Sequence, residues 1–210
     1  MAFDLSAGRL CLDFVNTLAQ DGDQLGTYDD LVAFGTATGQ LSAADADDLL
    51  DLAREQPRHA EGIMVRARRV RAALRRISTQ LLAARALDPV DLSTINFELA
   101  AGLGHRRVLP QPGPRNTFAW GWVGRPIDRP LWAIVSDAAE LLVGDERDRI
   151  RECGASDCQW LFLDTTRNRS RQWCSMTACG NRAKARRHYA RARTRVAAAG
   201  PPSPSAGAAS

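Results

Sequence analysis

Four of the five cysteines in this 210-residue chain fall in its last third, at Cys153, Cys158, Cys174 and Cys179. Their spacing is C-x4-C-x15-C-x4-C. Two close pairs joined by a short arm suit a tetrahedral Zn²⁺, because each pair comes from one tight turn and the arm folds back to bring the turns together. A gap of four lies at the upper end of the common spacing between paired ligands. Four thiolates close the coordination sphere, whereas a catalytic zinc keeps one position for water or substrate, so the chemistry expected is structural. The alternative is a disulfide framework, which needs an oxidising compartment. The chain starts MAFDLSAGRL, without a basic stretch leading into a long apolar run. No window approaches the ~18 apolar residues of a membrane span. The expectation is therefore a cytoplasmic protein, with no membrane partner, whose reduced thiols hold one structural Zn²⁺. Cys11 stands alone in LCLDFV and reads as a small core residue.

Charge is spread unevenly. Ten of the 28 basic residues and none of the 24 acidic ones lie after Asp164. A GC-rich genome accounts for arginine over lysine, but not for the loss of Asp and Glu. Such asymmetry points to an interaction tail or a nucleic-acid surface. From Asn181 a helix is expected to run to Arg195. On it Arg182, Arg186, Tyr189 and Arg193 share one face, while Lys184, Arg187, Arg191 and Arg195 form a second. Ala185, Ala192 and Val196 leave a thin apolar strip to rest on the metal module. Arginine pairs with phosphate bidentately and reads guanine in the major groove. Arg167, Arg169 and Arg171, between WLFLD and RQWC, add a second basic patch suited to phosphates. Duplex DNA is the expected partner. RNA is the rival partner, since phosphate contacts do not separate the two, although no RNA-recognition signature is present. A zinc-thiolate module for protein interaction or redox sensing is the other rival.

The elements that must position these residues follow from periodicity and caps. About fifty residues cannot bury much core, so the metal is the expected staple of a small second domain over 145–197. There residues 160–174 read as a β-hairpin returning the chain to the metal, with Trp160, Phe162 and Trp173 packed against it. In front lies an α-rich domain over 1–144. A first helix is expected within 1–20, a short one in DDLVAFGTATG, and one after Ser42, whose partner Asp45 makes a capping signal. The longest helix covers about 59–87. Its stripe Ile63, Ala67, Val70, Leu74, Ile77 and Leu81 is too short for a full coiled-coil seam and reads as core. The arginines on its other faces read as a solvated face paired with acidic neighbours rather than as a second nucleic-acid surface. Asp88-Pro89 starts a further helix, RRVL and TFAWGWVG form a hairpin with Phe118, Trp120 and Trp122 on one face, and Asp128 caps the last helix before Gly144. That aromatic face packs on the helices or walls a small-molecule pocket. The last residues, 198–210, carry no bulky apolar side chain and are expected to be disordered. The fold class is thus α+β, mostly α. His59 and His105 are isolated and no nucleophile motif is visible, so an enzyme is not expected.

The run CGNRAKARRHYARAR resembles the CGNR zinc-finger family, whose signature stands here at Cys179-Gly180-Asn181-Arg182. The segment LCLDFVNTL, residues 10–18, is similar to the opening of the ABATE domain that usually precedes this finger. The resemblance covers nearly the whole chain short of its tail. It implies a stress-induced bacterial transcription regulator, with Cys153, Cys158, Cys174 and Cys179 as zinc ligands and Asn181, Arg182 and Lys184 on the signature stretch. The N-terminal domain would sense a small-molecule ligand, form a homodimer, or both.

Overall fold

The computed structural model describes residues 3–19, 22–113, 117–186 and 189. The LCLDFVNTL segment opens as helix α1 (Leu10–Asn16) and continues into strand β1 (Leu18–Ala19), which pairs with β2 (Gly22–Asp23). Helices α2 (Tyr28–Ala37) and α3 (Ala43–Glu55) both start at capping boxes, Thr27 with Asp30 and Ser42 with Asp45. In each, the hydroxyl accepts the amide N–H three residues on and the carboxylate accepts the cap's own amide, satisfying donors that no helical carbonyl reaches. Helix α4 (Pro57–Leu82) starts with proline, whose missing N–H is no loss at that position. Helix α5 (Pro89–Leu103) does the same, with Asp88 accepting from the Val90 amide. Strands β3 (Arg106–Gln111) and β4 (Thr117–Trp122) form the expected antiparallel hairpin. Helix α6 (Arg129–Val143) follows, but Asp128 does not cap it: its carboxylate accepts from Arg66 at 3.1 Å instead.

Helix α4 is the axis of the protein. Ile63, Ala67, Val70, Leu74 and Ile77 are buried, and the stripe packs against α1, α2 and α5. Several of the arginines on its other faces find carboxylates. Arg66 binds Glu98 and Asp128, Arg71 grips Asp23 through both terminal nitrogens, and Arg76 holds Asp91. Glu98 and Asp91 are buried, so these pairs hold charge that would be costly alone. On the β3–β4 hairpin, Trp122 reaches Trp132 of α6, with ring centroids 5.7 Å apart. Phe118 and Trp120 stay exposed, so the aromatic face packs on the helices only at its base.

A 3-10 turn (Asp145–Arg149) leads from α6 into β5 (Ile150–Glu152), which pairs antiparallel with β6 (Leu161–Leu163). This differs from the hairpin expected over 160–174: the partner of β6 precedes it. The cause is Asp164, which is buried and accepts from the Thr166 amide and hydroxyl and from the Arg171 amide. Those bonds close TTRNRS into a loop and turn the chain away from β6. The other edge of β6 is taken by the N-terminal region. The Asn16 side chain donates to the Leu161 carbonyl at 2.8 Å and accepts its amide at 2.9 Å, and the Leu163 amide donates to the Ala7 carbonyl at 2.7 Å. The buried core therefore continues from the helices into the finger across Gly144. A π-helical turn (Met176–Gly180) and a helix over 181–186 complete the described chain. The class is α+β, mostly helical, as the sequence predicts. Among the described residues no helix is long and apolar enough to cross a membrane.

Candidate metal centre

Cys153 follows β5, Cys158 ends the short turn before β6, Cys174 ends the Asp164 loop, and Cys179 sits in the π-helical turn. Each is placed by backbone bonds. The Cys153 amide donates to Trp160 O and the Gly154 amide to Gln172 O, at 2.9 and 2.8 Å. A side chain at Gly154 would meet Gln172 O and the Trp173 ring at 3.2 Å, so glycine lets these segments close up. The Cys158 amide turns back to Ala155 O, and Ser175 caps the π-helical turn by accepting the Ala178 amide. Trp160 and Trp173 pack against the core beside the site, and Phe162 is buried beneath it.

The four Sγ atoms lie within 4.8 Å of one another. Cys158 and Cys174 are 3.7 Å apart, and Cys174 and Cys179 3.6 Å. A tetrahedron with Zn–S bonds of about 2.3 Å has S–S edges of about 3.8 Å, so the cage fits one zinc with little adjustment. No disulfide links any of the five cysteines. As a bare thiol, Cys174 is opposed in its ionisation by the sulfurs around it. Burial, then the neighbouring sulfurs, push Cys174 far up; burial chiefly raises Cys158 to about 11. Cys153 alone is held below its ordinary value: burial works against it, but the Cys174 amide donates to its sulfur. A divalent cation at the centre removes this conflict, since thiolates bind it and cease to repel. Cys11 is buried away from the site, as expected.

The basic residues fall into three groups. Arg182 donates to the Cys179 sulfur at 3.2 Å and faces Asp157 at 3.5 Å. Arg186 binds Asp157 through both terminal nitrogens, at 3.2 and 2.6 Å, and also reaches Ser156 Oγ. This pairing holds the Asp157 carboxyl below its usual range and straps the start of the helix to the first knuckle. Arg171 turns inward: it donates to the carbonyls of Trp173, Cys174 and Ser6, with its guanidinium 4.4 Å from the Phe162 ring centroid. Arg167, Arg169, Lys184 and Tyr189 are exposed, as is Asn181, whose amide donates to Thr177 O. Arg187, Arg191 and Arg193 lie outside the described residues.

Sequence reasoning missed Asp157 and Asn16. Asp157 is the one carboxylate between the first two cysteines, which is a readable signal; its partners lie about 25 residues on. Asn16 gives no signal, because its partner is a backbone strand 145 residues away.

Comparison with curated proteins finds no match for the chain. Two family models do match it. One, named CGNR zinc finger, covers residues 149–192 and contains all four cysteines. The other covers residues 8–145, about two thirds of the chain, and carries the description "Putative stress-induced transcription regulator". The chain thus belongs to the ABATE family of transcription regulators and carries a CGNR zinc finger with a single four-cysteine site behind its ABATE domain.

Proposed function

We propose that the protein is a cytoplasmic, non-enzymatic transcription regulator whose zinc finger binds duplex DNA. The observation that carries the reading is the strapped helix. Four sulfurs and the Asp157 ion pairs fix the start of a helix that opens a stretch without any acidic residue. When bound, the metal supplies cross-linking only, since four cysteines leave it no position for substrate. Arg182 and Arg186 orient the helix through Asp157 at the surface, and Arg171 ties the Asp164 loop to Cys174. The contacts to phosphate fall to Arg167, Arg169 and Lys184, with Asn181 and Tyr189 beside them, and to Arg187, Arg191 and Arg193 further along. The N-terminal domain then acts as the sensor or dimerisation unit.

Fluorescence anisotropy with zinc-loaded protein tests this against the RNA and redox readings. A random-sequence duplex is expected to bind more tightly than a structured RNA at the same salt, and chelation is expected to abolish binding. Arg169→Ala should lower the slope of log affinity against log salt by about one, the signature of one lost phosphate contact. Tighter binding to RNA, or affinity indifferent to zinc, overturns the reading.

A further inference from the structure

A cleft of about 550 Å³ lies between the exposed face of α4 and the finger. Its floor is apolar: Val15, Leu18 and Ala72, with Trp160 as the wall on the finger side. The cleft is cationic, with Arg68, Arg71, Arg75 and Arg76 set against one lining acid among the described residues, Asp23. These four arginines are not equivalent. Arg71 is held on Asp23 and Arg76 on Asp91, each by short paired hydrogen bonds. Arg75 has only a loose contact with Glu152, at 3.6 Å. Arg68 donates to the Gly26 carbonyl and enters no ion pair among the described residues. Two arginines, two helical turns apart on one face, thus keep donors for an incoming anion.

We propose that this cleft binds a small organic acid, with its carboxylate on Arg68 or Arg75 and an aromatic or aliphatic body laid over Leu18 and Ala72 against Trp160. The volume falls in the range of small-molecule sites, and an apolar floor under a few charged groups is their usual composition. A nucleic-acid backbone needs no such floor. Leu18 carries the point: it is an apolar side chain left 52% exposed at the mouth of the cleft, where an apolar body would cover it. Occupancy reaches the metal centre directly. Glu152, the partner of Arg75, precedes Cys153, and the carbonyl of Trp160 holds the Cys153 amide. Trp160, Ala19 and Gln159 also border a second hollow that opens on Cys158, Cys179 and Arg182. The inference rests on the sensing half of the proposed function and not on DNA binding, and its test contains no DNA in the primary measurement.

The test is isothermal titration of the zinc-loaded full chain with benzoate, 2-naphthoate and indole-3-acetate, and with the corresponding neutral amides. At least one acid is expected to bind once per chain, with its amide at least about tenfold weaker. Arg68→Gln and Arg75→Gln should weaken the acid about tenfold between them and leave the amide unchanged. Leu18→Glu, at an exposed position, should abolish acid binding; zinc content and melting midpoint verify that each variant is folded. The proposal is overturned by no acid binding up to about 5 mM, by equal binding of acid and amide, or by indifference to all three substitutions. Displacement of a bound acid by equimolar short duplex also overturns it and assigns the cleft to a phosphate backbone.

Discussion

Asp13 accepts the Ala7 amide at 2.9 Å and is only 8% exposed. Burial raises its carboxyl from the ordinary 3.8 to about 6, outweighing that hydrogen bond. Because the folded value lies above the unfolded one, the protonated form favours folding. The contribution is complete below about pH 4 and is lost as pH rises through 6. Asp13→Asn keeps an acceptor for Ala7 without the charge. Between pH 5 and 7.5 the wild type should therefore lose roughly 1 kcal/mol of stability relative to Asp13→Asn, read from urea midpoints. Parallel curves would refute the buried charge. At this same scale the sequence picks out the four cysteines but does not show which cations also have partners within the protein. Arginine types and spacing look alike whether the side chain meets phosphate or, as at Arg171, Arg182 and Arg186, meets a carbonyl, a sulfur or Asp157.

Elements defined by local chemistry were legible. The capping box at Ser42, the proline at the start of α5 and the stripe of α4 all act within a few residues of themselves, whereas the box at Thr27 and the proline that opens α4 come from the structure. Strand β5 was not legible, since it occupies the charged run before Cys153, and the turn at Asp164 hid behind an alternating pattern that suits a hairpin. What holds β6 is non-local: β5 on one edge, Asn16 and Ala7 on the other. Asn16→Ala strands the buried amide and carbonyl of Leu161 without partners. The expected loss is about 2–4 kcal/mol, with faster hydrogen exchange at Leu161 than at α5 amides. A loss below about 0.5 kcal/mol would show that β6 does not depend on Asn16.

For the whole molecule, the sequence predicts an α-rich domain and then a metal module, and the two family models match in that order, over residues 8–145 and 149–192. The coupling of the parts is not legible there, because it runs through pairs such as Asn16 and Leu161 that no local pattern links. We propose that the two parts fold as coupled units. Residues Leu161, Phe162 and Leu163 belong to the same buried cluster as α1 and α4, so zinc removal should lower the thermal midpoint of the helical signal as well as unfold the finger. Circular dichroism at 222 nm with and without chelator measures this, and an unchanged helical midpoint would establish independent domains.

The central claim is that a metal-fixed finger reads duplex DNA. Selection of bound sequences from a random duplex pool, with zinc-loaded and zinc-stripped protein in parallel, tests it most directly. The account predicts that the loaded protein enriches one short motif and that the stripped protein enriches none. Recovery of unbiased sequences by the loaded protein, or the same motif by both, would contradict it.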